Sequence, residues 1–140
     1  LPICPPSWWC GPGSIARSYR TARTTMMVGK QRMPQQRSFF YQDLVLPVLL
    51  DSLRGGWQAS ELARPLAKLK SMDNNGLLRR TLVAWFSHNV QPSATARALF
   101  IHRNTLEYRL NRISELTGLN LANFDDRLLL YVALQLDEQA

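Results

Sequence analysis

The sequence predicts a mainly α-helical chain, with a C-terminal helix-turn-helix domain preceded by the tail of an α/β domain. Three observations carry this expectation. From Asn75 onward, apolar residues recur at the three- and four-residue spacing of helices, separated by short polar turns. Gln91 to Gly118, QPSATARALFIHRNTLEYRLNRISELTG, reads as two short amphipathic helices joined by a tight turn. Before Gly55-Gly56 the pattern is mixed, with an alternating aromatic stretch lying among helical ones.

Taken in order, the leader LPICPPSWWC holds both cysteines, Cys4 and Cys10, and lacks the basic and apolar regions of a signal peptide. A zinc site needs four ligands, and the two histidines, His88 and His102, are remote, so no metal is expected. Two free thiols in a reducing cytoplasm are the expected state. The chain begins at Leu1 without Met and is expected to be a C-terminal part of something longer. Ser14 can cap a helix from Ile15 to Gly29, on which Arg17, Arg20 and Arg23 form a solvated stripe. Arg37 to Tyr41 alternates and is expected to be a short strand. Leu46, Leu49, Leu50 and Leu53 give a helix over Leu44 to Leu53, stopped by the glycine pair. Trp57 to Met72 is helical in pattern, but Pro65 removes a backbone donor and should break it, leaving a connector.

Asn74 or Asn75 then caps a helix ending near His88, with Leu78, Leu82, Trp85 and Phe86 inward. Pro92 suits the first turn of the next helix, Pro92 to Leu99, whose alanines permit a close crossing. Arg103 to Leu116 follows, closed by Gly118, and Asp126 to Leu136 is apolar nearly all round and so must be buried. The longest apolar run, Leu128 to Leu134, is far short of the roughly 20 residues of a membrane span.

Charge is uneven. Of the net +7, residues 1–74 contribute ten bases against four acids, and residues 75–140 seven against six. Between Gln91 and Ile113, Arg97, Arg103, Arg109 and Arg112 face only Glu107, while Asp125, Asp126, Asp137 and Glu138 sit at the tail. A basic helix pair with acids held away from it suits a polyanion.

At 100° per residue, Leu106, Leu110, Ile113 and Thr117 share one narrow arc of the third helix. Asn104, Tyr108, Asn111 and Glu115 lie opposite, with Thr105 and Arg112 flanking and Arg103 and Arg109 on the shoulders. That division is what a recognition helix in the DNA major groove requires: anchors inside, polar base readers outside, arginines reaching phosphates. His102, Arg103, Asn104, Thr105, Tyr108, Arg109 and Arg112 are the candidate contacts. Each has a plainer reading. Asn104 with Glu107 fits a capping pattern, which for Glu107 is preferred, and His102 could itself be the cap. Arg79 and Arg80 read as surface charge, and Trp85, Phe86, Phe100 and Tyr131 as core. Phe100 occupies the turn position that often carries glycine.

LFIHRNTLEYRLNRISELTGL resembles the C-terminal helix-turn-helix signature of the purine-catabolism-regulator and sugar-diacid-regulator families of bacterial transcription factors. DNNGLLRRTLVAWFSHNVQPSATARA before it and FDDRLLLYVALQLDE after it continue the likeness. The resemblance covers about residues 12–140 and implies an activator of glucarate, galactarate and glycerate utilisation genes. It also implies four segments: an unmatched leader (1–13), the end of a cyclase-like α/β domain without catalytic function (14–56), a helical connector (57–74) and the DNA-binding domain (75–140). The leader's unlikeness points to a frameshift or an artificial start.

The expected function is therefore that of a cytoplasmic, sequence-specific regulator binding double-stranded DNA as a homodimer, with no cofactor and no membrane. Its sugar-diacid effector would act only through an N-terminal domain missing here. A helical protein–protein interaction module without DNA specificity is the alternative. Catalysis ranks last, because no phosphate loop, metal-binding carboxylate pair or activated nucleophile is present in the pattern.

Overall fold

The computed structural model describes residues 12–138, so the expectations for the leader, Cys4 and Cys10 included, lie outside the described residues. These residues form α1 (Pro12–Arg32), a 3-10 turn (Tyr41–Asp43), α2 (Val45–Asp51), α3 (Trp57–Met72), α4 (Leu77–Ser87), α5 (Pro92–Ala98), α6 (Arg103–Thr117) and α7 (Phe124–Glu138). They divide into two compact units at Leu53/Arg54.

In the first unit, α1 begins at Pro12, ahead of the expected Ser14 cap, and α2 packs on it, with Leu44 at its cap and Val48 and Leu50 along it buried. The apolar stripe of α2 differs from the expected one, since Leu46 and Leu49 are exposed. The expected strand at 37–41 is absent, and no strand occurs among the described residues. A strand needs a neighbour to satisfy its backbone. Here the Phe39 ring instead lies against the α-carbon of Gly29, where an added methyl would come within 2.4 Å of it. The chain then closes a turn through Asp43 N–H to Phe40 O and Leu44 N–H to Tyr41 O.

The second unit is a five-helix assembly in which α3 packs on α6 and α7, and α4 and α5 pack on α6. Its core joins Leu66 and Leu69 of α3 to Leu82 and Trp85 of α4, Ile113 and Leu116 of α6, and Leu130, Ala133 and Leu134 of α7. Leu66 and Leu69 bring α3, within the segment expected as a helical connector, into this core. The helix also runs unbroken through Pro65. An interior proline costs about 3 kcal/mol. Burying Leu66 and Leu69, which are 2% and 0% exposed, returns about 1.5–3 kcal/mol each, enough to hold the helix together.

The cap of α4 is neither Asn74 nor Asn75. Gly76 precedes the helix in a left-handed conformation, φ 64°, and Asp73 reaches back to accept the Arg79 N–H at 2.9 Å. Arg79 is not simple surface charge either. Its guanidinium meets Asp137 of α7 at 3.0 Å, and Lys70 of α3 binds the other carboxylate oxygen. Burial alone would raise the Asp137 pKa, but Lys70 and Arg79 outweigh it and hold the carboxyl below its ordinary value of 3.8. Three helices are tied at that one carboxylate.

Candidate nucleic-acid interface

α5 is short, and two buried residues fasten it. Thr95, 0% exposed, donates its hydroxyl to Gln91 O, and Ala96 lets α6 approach closely. Pro92 occupies the first turn as expected. The helix closes with two bonds, Phe100 N–H to Arg97 O at 3.3 Å and Ile101 N–H to Ala96 O at 3.0 Å. This is the paired arrangement in which the residue after the helix turns left-handed, and here that residue is Phe100 at φ 55°. The expectation that its ring is core is wrong: Phe100 is 95% exposed.

α6 opens on His102, whose backbone is extended (φ −72°, ψ 149°) and whose Nδ1 accepts the Asn104 N–H at 3.1 Å. Of the competing cap assignments, the structure selects histidine, which leaves the side chains of Asn104 and Glu107 on the exposed surface. Gly118 closes the helix at φ 72°, its N–H bonded to Ser114 O.

Between these ends the two faces separate as the helical angles require. Leu106 and Ile113 are 0% exposed, Leu116 and Thr117 are buried, and Leu110 is half-buried. Arg103, Asn104, Thr105, Tyr108, Asn111 and Arg112 are exposed. Six of the seven candidate contacts, His102, Arg103, Asn104, Thr105, Tyr108 and Arg112, are therefore on the exposed surface of the helix and its cap. Arg112 shares it with Glu115 in an exposed ion pair of 3.2 Å, a contact that a phosphate could replace at little cost. Arg109 is not brought to that surface. It is half-buried, and its Nη1 donates to Thr81 Oγ1 of α4 at 3.4 Å.

Sequence reasoning missed Phe100 as a surface residue and Thr81 and Thr95 as buried ones. The threonines carried a signal, because each can return its hydroxyl to the carbonyl four residues earlier, as both do at 2.7–2.8 Å. Among the described residues, no group of three or more His, Cys, Asp or Glu side chains could hold a metal. No described helix is long and apolar enough to cross a membrane.

Residues 78–136 match the PucR C-terminal helix-turn-helix domain. Over 133 residues the chain is 83% identical to the carbohydrate diacid regulator of Escherichia coli K12, covering 95% of this chain and 34% of that protein. It is 39% identical over 120 residues to an uncharacterised protein of Haemophilus influenzae Rd, covering 86% and 32%. A third relative, the proline-responsive transcriptional activator PutR of Bacillus subtilis 168, is 38% identical over 71 residues, or 51% of this chain and 17% of PutR. The chain spans about a third of the length of the first two. No solved structure matches it. The matched span contains α5, its turn and α6 whole, so residues 78–136 form a helix-turn-helix domain like that at the PucR C-terminus.

Proposed function

We propose that this chain is the DNA-reading part of a transcription regulator, an activator of sugar-diacid (glucarate, galactarate and glycerate) utilisation genes. The observation that carries the reading is the outer face of α6. Six candidate contacts stand exposed above a sealed apolar face, and the helix start is fixed by its own cap. The match to the carbohydrate diacid regulator supports the regulon class. The chain acts without catalysis, in the cytoplasm, and as a homodimer, because two half-sites about 34 Å apart multiply both affinity and specificity. The diacid effector is assigned to a separate N-terminal domain. Titration of this chain with glucarate is therefore expected to release no heat, and tight binding would count against the assignment.

The direct test titrates duplex DNA carrying a candidate operator at rising salt. Arg112→Ala is expected to weaken all sequences and flatten the salt slope by about one unit, as loss of one phosphate contact does. Arg103→Ala is expected to cost about 1–3 kcal/mol at a single base position. Arg109→Ala should lower thermal stability more than DNA affinity, given its bond to Thr81. If neither the Arg103 nor the Arg112 variant changes binding, α6 is not the reading helix. Binding indifferent to both salt and sequence would favour a protein-interaction module instead.

A further inference from the structure

Three helices of the second unit end in left-handed backbone, and the residues that occupy those positions differ sharply in what they gain. Gly118 after α6 has no Cβ to clash. After α4 the turn falls on Asn89, which tolerates this conformation, and on Val90, which does not. Val90 is compensated, since its side chain packs against the core. After α5 the position falls on Phe100 at φ 55°, with the same pair of closing bonds that Asn89 and Val90 make. Nothing compensates it, for the ring is 95% exposed. Glycine there would relieve the backbone, and any polar residue would be better hydrated. Folding accounts for neither the strain nor the exposure, and uncompensated strain of this kind marks functional positions.

The surroundings narrow what the ring meets. Phe100 stands two residues before the cap of α6 and is followed closely in sequence by exposed His102, Arg103, Asn104 and Thr105, with Arg97 exposed on the preceding helix. An apolar ring in a stretch of chain whose next exposed residues are cationic and polar does not suit an apolar protein surface. It does suit the DNA major groove, where phosphates are flanked by one apolar feature, the C5-methyl of thymine. We propose that Phe100 is a specificity-determining contact, its ring packing on a thymine methyl at the edge of the half-site read by α6. This rests on the DNA-binding reading above.

The test uses the 140-residue chain and a duplex that it enriches by repeated selection from a random-sequence pool. Thymines of that duplex are replaced one at a time by deoxyuridine, which removes only the methyl. At one position the parent chain is expected to lose affinity by about three- to fivefold, the effect of one buried methyl. Phe100→Gly should lose the same factor on the thymine duplex and show no preference between thymine and deoxyuridine. Phe100→Asn, whose side chain also tolerates the left-handed turn, should behave alike. Both variants are expected to melt no lower than the parent. Parent-like affinity in Phe100→Gly, a thymine preference that survives the substitution, or a melting temperature well below the parent's would each overturn the assignment. Failure of the parent to enrich any duplex would instead overturn the DNA-binding reading, and this contact with it.

Discussion

The two units of this chain are both helical, yet they bury their apolar residues very differently. In the second, Leu69, Leu82, Leu106, Ile113 and Leu130 are each 0% exposed, contributed by four different helices. In the first, Val28, Leu44, Val48 and Leu50 are buried, while Ile15, Tyr19, Met26, Leu46 and Leu49 are exposed, Ile15 at 76%. Helical periodicity alone does not make a core. A helix seals its stripe only when other elements cover it from several sides. The second unit has five helices to do this, and the first has two helices and a turn. A recognition surface of fixed geometry needs the former kind of support.

The largest expected effect sharpens that contrast. Leu82→Ala should destabilise the second unit by about 2–5 kcal/mol, because a cavity opens where no neighbour can relax fully into it. Leu44→Ala in the first unit should cost less than half as much, since fewer elements pack around it. Hydrogen exchange read separately over α1–α2 and α3–α7 checks both, and equal losses would break the comparison.

Pro65→Ala comes next. Restoring the missing donor inside α3 should stabilise the second unit by about 1–3 kcal/mol, visible as a higher urea midpoint. A loss of stability would mean that the proline ring itself, half-buried in the helix, contributes more than the absent bond.

The smallest effect concerns the three-helix tie. Asp137→Asn should cost about 1 kcal/mol at neutral pH, because the partners are only partly buried. The native carboxyl titrates below its ordinary 3.8, so its contribution is fully present above that pH and is lost as pH falls through the lower folded value. The stability of the parent should therefore drop toward that of the Asn variant in strong acid. If the two stay equally far apart down to the lowest pH, the tie is not what sets the difference.

How much of this was legible depended on what each signal measured. The faces of α6 could be read because one-sided burial fixes the period, and Leu106, Ile113 and Thr117 fell inward as their angles required. Local rules failed where distant packing overrode them. Pro65 breaks an isolated helix, but Leu66 and Leu69 are held by α6 and α7. Alternation at 37–41 imitated a strand, yet no sequence pattern could tell that Phe39 had Gly29 to rest on. The cap of α4 moved to Asp73 because that carboxylate spans six residues to Arg79, beyond the short spacing by which caps are recognised. Phe100 was assigned to the core by composition alone, and nothing local distinguishes an exposed aromatic from a buried one.

The choice of His102 to open α6 has a consequence for how the surface is wired. An aspartate cap has only acceptors to offer, and a serine cap a single oxygen held close to the backbone. An imidazole has two vertices, and because Nδ1 accepts from the Asn104 N–H, a neutral ring must carry its proton on Nε2. The residue that shapes the helix start thus also offers a donor there, of the kind that guanine N7 and O6 accept. On the proposed DNA-binding reading, scaffold and reader would be two ends of one ring, and any substitution at position 102 would disturb both.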